Sequence, residues 1–552
     1  MTIHQARPVS RDEEKRWESL SPFELKNELI DLAQRHAEDE HTKHAAATLL
    51  NAGRGNPNWI ATAPREAFFL LGAFGLAEAR RDWDEWDGLA GAPDKDGIAG
   101  RFRDFLREHH GEPGADLLAR SLEYGVSGLG FAEDDWVWEL ADGVIGDHYP
   151  SPDRMLPHAE RVVGRYLVQE MHGGREPDAP FDLFATEGGT AAMCYLFDSA
   201  QVNGLLAQGD TIAIMTPIFT PYLEIPKLER YAFDVLEIEA TRVDADGGHT
   251  WQYDPAEIDK LADPKVKALF LVNPSNPPSV MLDGATLDRI AEIARTANPD
   301  LAIITDDVYG TFVDGFRSLM AAAPRNTLGV YSFSKYFGCT GWRLGVISVS
   351  RDNIFDERLA RLPEADKARL RERYGSISLD PDGLRFVDRL VADSRDVALN
   401  HTAGLSLPQQ VQMALFALAA LLDEAGAYKR NCRAIISRRL HALAKGMGVP
   451  VPQDPLAAGY YVELDLLSYV RRDIGEDFAR WLEDGFEPAD PVFRLAAKGS
   501  VVLLNGGGFD GPPWSVRVSL ANLRDDAYER IGRALRELVE EYKAEYDAAK
   551  SG

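Results

Sequence analysis

Cysteine is almost absent: three residues in 552 (Cys194, Cys339 and Cys432), with no Cys-x-x-Cys pair. That excludes a disulfide framework and a thiolate metal cage, and fits a reducing compartment. Positive charge is also scarce. Sixty Lys and Arg face 88 Asp and Glu, a formal net charge of −28, which argues against a nucleic-acid partner, where a basic face is expected. No apolar run approaches membrane-spanning length. The opening Met-Thr-Ile-His-Gln-Ala-Arg-Pro-Val-Ser has no apolar core like that of a signal peptide. The expected location is therefore the cytoplasm, without a membrane partner. Internal repeats and low-complexity tracts are missing too.

What is present is an ordinary globular composition, 45% hydrophobic and 27% charged. The length suggests two or three structural units. Ser21-Pro-Phe-Glu24 reads as a helix start, with Ser21 as cap, Pro22 in the first turn and Glu24 closing a capping box. The helix should continue through Leu25, Leu29, Ile30 and Leu32. Leu49-Leu-Asn-Ala-Gly-Arg-Gly-Asn-Pro-Asn58 reads as an irregular, close-packed loop. Residues 80–147 combine short helical patterns with Trp83, Trp86, Trp136 and Trp138, a content that suits packing or a subunit contact. From about 165 to 350, short apolar runs at 213–215, 268–272, 302–305 and 328–331 alternate with helical segments. This is the pattern of a mostly parallel sheet covered on both faces, an α/β fold. A long helical stretch follows residue 408, then strands near 460–464, 501–504 and 516–518, and a charged helix from Asp525.

Polar residues cluster after the apolar runs, where open α/β sheets bind ligands. Ser332-Phe-Ser-Lys335-Tyr-Phe-Gly-Cys-Thr-Gly-Trp-Arg343 sets a lysine behind small hydroxyl residues and an arginine eight positions on. A lysine amine can form a Schiff base with an aldehyde cofactor, and hydroxyls with an arginine can hold its phosphate. Pyridoxal 5′-phosphate needs both. Thr186-Glu-Gly-Gly189-Thr190 precedes a helix, so Gly189 and Thr190 can offer donors to phosphate at its positive end. Asn273-Pro-Ser-Asn276 follows one strand and Asp306-Asp307-Val-Tyr309 the next. Cys339 reads as a packed small thiol.

The lysine loop and the order of these motifs resemble the fold-type I pyridoxal-phosphate enzymes, the aspartate aminotransferase superfamily. The resemblance implies a mostly parallel, seven-stranded large domain and a smaller α+β domain. Its divisions would be an N-terminal helical arm (1–50), a first part of the small domain with a helical insert (51–164), the cofactor-binding domain (165–400) and the rest of the small domain (401–552). Lys335 would carry the cofactor. Asp306 aligns with the first acid of the family's Asp-Glu-x-Tyr motif and would keep the pyridine nitrogen protonated. Asn276 and Tyr309 would donate to the phenolic oxygen. Gly189, Thr190, Ser332 and Arg343 would form the phosphate cup, with Phe219 stacked on the ring. Arg517 would grip the substrate α-carboxylate, Gly55 would contact substrate, and Tyr149 would reach the phosphate of a neighbouring subunit.

Within that superfamily the chain is similar to the aspartate 4-decarboxylases. The similarity rests on Ser-Pro-Phe-Glu-Leu-Lys at 21–26, Asn-Ala-Gly-Arg-Gly-Asn-Pro-Asn at 51–58, Glu-Gly-Gly-Thr-Ala-Ala-Met at 187–193 and Asn-Pro-Ser-Asn-Pro-Pro-Ser-Val at 273–280. Thr-Asp-Asp-Val-Tyr-Gly-Thr-Phe at 305–312 and the stretch 391–406 add to it. It implies conversion of L-aspartate to alanine and CO₂, with side aminotransferase activity on 2-oxo acids. It also implies a homodimer at minimum and a dodecamer built from dimers. Arg54, an arginine in these decarboxylases and not in typical aminotransferases, would orient the β-carboxylate or act on the cofactor side. The alternative is a plain aspartate or aromatic aminotransferase.

Overall fold

The computed structural model describes residues 9–39, 49–83, 87–245, 247–395 and 404–551. Trp86 and half of the 391–406 stretch, residues 396–403, lie outside the described residues. The chain forms two compact units, interleaved in sequence. One comprises Met1–Trp59, Thr211–Ile293 and Asn431–Gly552; the other comprises Ile60–Asp210 and Ala294–Arg430.

In the first unit, numbering strands and helices along the chain, β3 (Thr211–Thr216) pairs in parallel with both β4 (Asp234–Glu239) and β5 (Val266–Val272). The apolar runs of β3 and β5 are buried almost throughout, as strands covered on both faces must be. A second sheet is antiparallel, β11 (Leu504–Asn505)–β12 (Ser515–Ser519)–β9 (Tyr461–Asp465). Short β1 (Leu50–Asn51) pairs with β10 (Val501–Val502). Helix α2 (Pro22–Asp39) starts at the expected proline, and it buries Leu25, Leu29, Leu32 and Ala33 on one stripe. Before it, α1 (Arg11–Glu18) opens on a capping box in which Ser10 and Glu13 bond reciprocally.

In the second unit, β6 (Ala302–Asp306) and β7 (Thr327–Ser332) are parallel. β8 (Gly345–Ser350) runs antiparallel to β7 and to β2 (Phe181–Thr186). Seven strands in all therefore make the mostly parallel sheet of an α/β fold. β2 carries a buried aspartate, Asp182, that breaks its apolar pattern. Burial pushes its carboxyl up, but Arg154, Arg351 and Arg385 offset this and hold it below the usual range.

The tryptophan-bearing segment is helical: α3 (Ala63–Asp82), α4 (Ile98–Glu108), α5 (Ala115–Glu123) and α6 (Glu133–Ile145). Trp136 is fully buried and donates to Ser121 O at 3.2 Å, and Trp138 donates to Pro93 O at 3.0 Å. These two rings pack within their own unit, whereas Trp83 is exposed.

Candidate active site

The second unit gathers one cluster at the carboxyl ends of β2, β6 and β7, which end at Thr186, Asp306 and Ser332. The chain turns from β2 into helix α8 (Gly189–Val202) through Gly188, at φ 93° and ψ 175°. That conformation is open essentially only to glycine. A Cβ there would lie 2.8 Å from Arg343 Nη2. Arg343, itself at φ 57°, donates from Nη2 to Glu187 O at 3.1 Å and from Nη1 to Thr340 O at 3.2 Å. The guanidinium thus lies against the start of α8, and Thr190, two residues beyond Gly188, is exposed.

A Cβ on Gly189 would sit 3.7 Å from Asp306 Oδ2 and 3.8 Å from Ser332 Cβ. This is a cradle bounded by a helix N-terminus, a carboxylate and a hydroxyl. Its donors suit a phosphate, and its carboxylate suits a protonated ring nitrogen, so the residues fit pyridoxal 5′-phosphate. The two adjacent acids divide clearly. Asp307 accepts from the hydroxyls of Thr305 (2.7 Å) and Ser318, and burial pushes its carboxyl up to about 7. Asp306 accepts the Val308 N–H on Oδ1 at 3.2 Å, and its Oδ2 faces Gly189. Tyr309 is buried just beyond.

Lys335 is half-buried in the loop after β7. Ser332 Oγ donates to Ser334 Oγ at 3.0 Å. Arg65, at the start of α3, fastens this loop by donating to Gly338 O at 2.7 Å and Phe337 O at 3.3 Å. Cys339 donates to Phe333 O, and burial pushes its thiol up to about 12, so it stays protonated and packs. Another ion pair braces the turn: Arg395 donates to Glu187 at 2.9 Å and to Tyr195 OH at 3.0 Å. Tyr149 is 65% exposed, and its carbonyl is bonded to His148, whose other nitrogen meets Asp142.

The first unit gathers a second cluster around Arg517, on β12. This arginine is 1% exposed and has no carboxylate within 4 Å among the described residues. Its Nη1 donates to Asn276 Oδ1 at 2.9 Å and Nη2 to Gly53 O at 3.0 Å, while Nε is buried without a partner among the described residues. Tyr461, Phe509 and Phe23 surround the guanidinium at 4.2, 5.0 and 5.8 Å from their ring centres. Phe219 meets Phe23 edge-on at 5.7 Å. Arg54 is exposed, and Gly55 O accepts from Tyr460 OH at 2.9 Å. Lys26 of α2 is held below its ordinary range, first by burial and then by the charges of Arg54 and Arg517. Three cations therefore share this region of an otherwise acidic chain.

Sequence reasoning missed Phe23, Lys26, Arg65, Arg395 and Glu463, which lies directly across the strand pair from Arg517. Phe23 and Lys26 lie inside a motif already singled out as a helix start. Nothing in the sequence pairs the others with the site, because each contact is made by residues distant along the chain. The structure brings together Gly189, Asp306, Ser332 and Arg343 in one cluster, and Asn276 and Arg517 in the other.

Comparison with known proteins agrees with this geometry. The family model "aminotransferase class I and II" matches residues 185–535. A bifunctional aspartate aminotransferase and L-aspartate beta-decarboxylase of Pseudomonas sp is 50% identical over 531 residues, 96% of this chain and 98% of that protein. Among solved structures, a double mutant of Thermus thermophilus aspartate aminotransferase covers 92% of this chain and 96% of its own, at 16% identity and a TM-score of 0.56. The aromatic aminotransferase of Pyrococcus horikoshii OT3 covers 93% of this chain and 99% of its own, at 17% identity and a TM-score of 0.54. These two show the fold. Cradle, arginine pocket and full-length similarity converge, and the chain belongs to the class I and II aminotransferase family.

Proposed function

We propose that the protein removes the β-carboxyl group of L-aspartate, giving alanine and CO₂, and carries out aspartate aminotransfer with 2-oxo acids at the same site. The observation that carries this reading is the 50% identity along nearly the whole of both chains to the bifunctional Pseudomonas enzyme. The arginine pocket supports it. A buried Arg517 without a carboxylate neighbour, with Arg54 and Lys26 nearby, suits a substrate bearing two carboxylates.

Bound pyridoxal 5′-phosphate supplies an electron sink for charge left at Cα or Cβ. The chain's own groups do the rest. Gly189, Thr190, Ser332 and Arg343 hold the phosphate, and Asp306 keeps the ring nitrogen protonated. Asn276 and Tyr309 donate to the phenolic oxygen, and Phe219 stacks on the ring. Lys335 anchors the cofactor, then takes the proton from Cα of the substrate. Arg517 grips the α-carboxylate, with Gly55 against the substrate. Arg54 orients the β-carboxylate without gripping it tightly, since tight ground-state binding would oppose CO₂ loss. Overall, aspartate plus one proton gives alanine plus CO₂.

Assembly follows from Tyr149. Its exposed side chain serves the cofactor phosphate of a neighbouring subunit, so the functional unit is a homodimer at minimum, built up to a dodecamer, in the cytoplasm. No helix among the described residues is long and apolar enough to cross a membrane. The anchoring role is tested by Lys335→Ala. The variant should lose decarboxylation and the imine that borohydride traps, and a trapped imine in it would place the cofactor on another lysine. Light scattering tests assembly, and a catalytically competent monomer would overturn the shared site.

A further inference from the structure

Arg517 and Glu463 are directly opposed in the antiparallel pair β12–β9, so their side chains leave the same face of the sheet. Both are buried, Arg517 at 1% and Glu463 at 5% exposure. Among the described residues the arginine bonds only to neutral oxygens, those of Asn276 and Gly53. Glu463 Oε1 accepts from Ser515 Oγ at 2.7 Å, while Oε2 is buried with no hydrogen-bond partner among the described residues. The space around this carboxyl is cut to fit. A Cβ on Gly506 would lie 2.2 Å from Oε1, and one on Gly511 2.8 Å from it. Among the described residues, a buried cation without an anion within 4 Å and a buried carboxyl with one unbonded oxygen thus share one face of one strand pair.

We propose that Glu463 is a positioning residue whose carboxylate balances Arg517 while the substrate site is empty, and which takes up a proton when a substrate carboxylate binds that arginine. This rests on the reading of Arg517 given above. Two anions cannot both stay ionised beside one buried cation without large cost, and the group able to neutralise does so. Burial raises the Glu463 carboxyl to about 7, against the Ser515 bond and the charges of Arg517 and His249. It therefore exchanges its proton in the working range of pH. The other charged groups facing it are Asp465, two residues along the same strand, and His249. His249 is bonded to Asp465 at 2.9 Å, and that partner holds it above its ordinary range.

The test uses the enzyme loaded with pyridoxamine 5′-phosphate, which has no imine nitrogen to titrate, and maleate as an unreactive dicarboxylate. Titration calorimetry in two buffers of different ionisation enthalpy counts the protons taken up on binding. The native protein should take up about half a proton per site at pH 7, rising toward one at pH 8, and its affinity should weaken about tenfold from pH 6 to pH 8. Glu463→Gln keeps an acceptor for Ser515 and should show no uptake and a flat affinity. Ser515→Ala removes a bond that favours the ionised form, so its uptake profile should move to higher pH. Equal uptake in the native protein and Glu463→Gln overturns the proposal, as does uptake lost only in His249→Gln. Arg517→Gln separates the two readings. Unchanged maleate affinity in that variant would refute the role of Arg517 itself. Lost affinity, together with unchanged uptake in Glu463→Gln, would refute the role of Glu463 alone.

Discussion

Gly188 is where backbone geometry and cofactor binding meet, and Gly188→Ala puts a number on that link. The residue sits at φ 93° and ψ 175°, a region where a side chain costs about 1–3 kcal/mol. Its new Cβ would also lie 2.8 Å from Arg343 Nη2, so the guanidinium must move off Glu187 O. A hydrogen bond from a charged donor contributes about 1.5–3 kcal/mol. If the turn relaxes to escape the strain, cofactor binding must restore it, and 1–3 kcal/mol corresponds to roughly a 5- to 150-fold weaker Kd. Fluorescence titration of the apoprotein with pyridoxal 5′-phosphate reads this directly, and thermal melting reads the part lost from folding. Gly345→Ala is a companion variant, since its Cβ would meet the Gly188 backbone at 2.7 Å. A Gly188→Ala protein that binds the cofactor within twofold of native and melts at the native temperature would refute the argument.

Three further predictions concern acids and Arg54. Asp306→Asn should cut turnover by orders of magnitude in steady-state assays while circular dichroism stays native, because the ring nitrogen loses its counter-charge. Asp307 titrates high in the fold, near 7 against 3.8 for an ordinary aspartate, so the folded protein holds a proton that the unfolded chain releases between those values. Stability should fall as pH rises through that window, by at most about 4 kcal/mol. Asp307→Asn should flatten this part of the melting-temperature profile between pH 4 and 7, and an unchanged slope would contradict it. Arg54→Ala should lose far more alanine production than half-transamination with aspartate in single-turnover assays. Equal losses would reduce Arg54 to general binding.

Much of the frame is legible in the sequence because buried parallel strands read as continuous apolar runs. The runs at 213–215, 268–272, 302–305 and 328–331 lie inside β3, β5, β6 and β7. The strands near 460–464, 501–504 and 516–518 are legible too, as β9 to β12, but strands of the large sheet that lack such a run are not. β4 reads Asp-Val-Leu-Glu-Ile-Glu and is half exposed. β2 is interrupted by Asp182, tolerable only because three arginines from distant segments reach it. Helix α1 is mostly charged and lacks apolar periodicity, although the Ser10–Glu13 spacing of its capping box was there to be found. At the site, motif order picks out Asp306, but only tertiary structure shows that Asp307 is committed to Thr305 and Ser318. Ser279 is a similar case. It sits at φ 64° and is fully buried, a strain that no local pattern announces. The pairing of Arg517 with Glu463 depends on strand register, which a single sequence leaves open.

In the proposed function, this site breaks the bond to the β-carboxyl group of aspartate as well as exchanging the amino group. Product analysis of the purified, cofactor-loaded protein with L-aspartate alone, without added 2-oxo acid, tests it most directly. Continuous release of alanine and CO₂ in equal amounts, over many turnovers per site, is expected. Oxaloacetate formed only when a 2-oxo acid acceptor is supplied, with no CO₂ from aspartate alone, would contradict it and leave a plain aminotransferase.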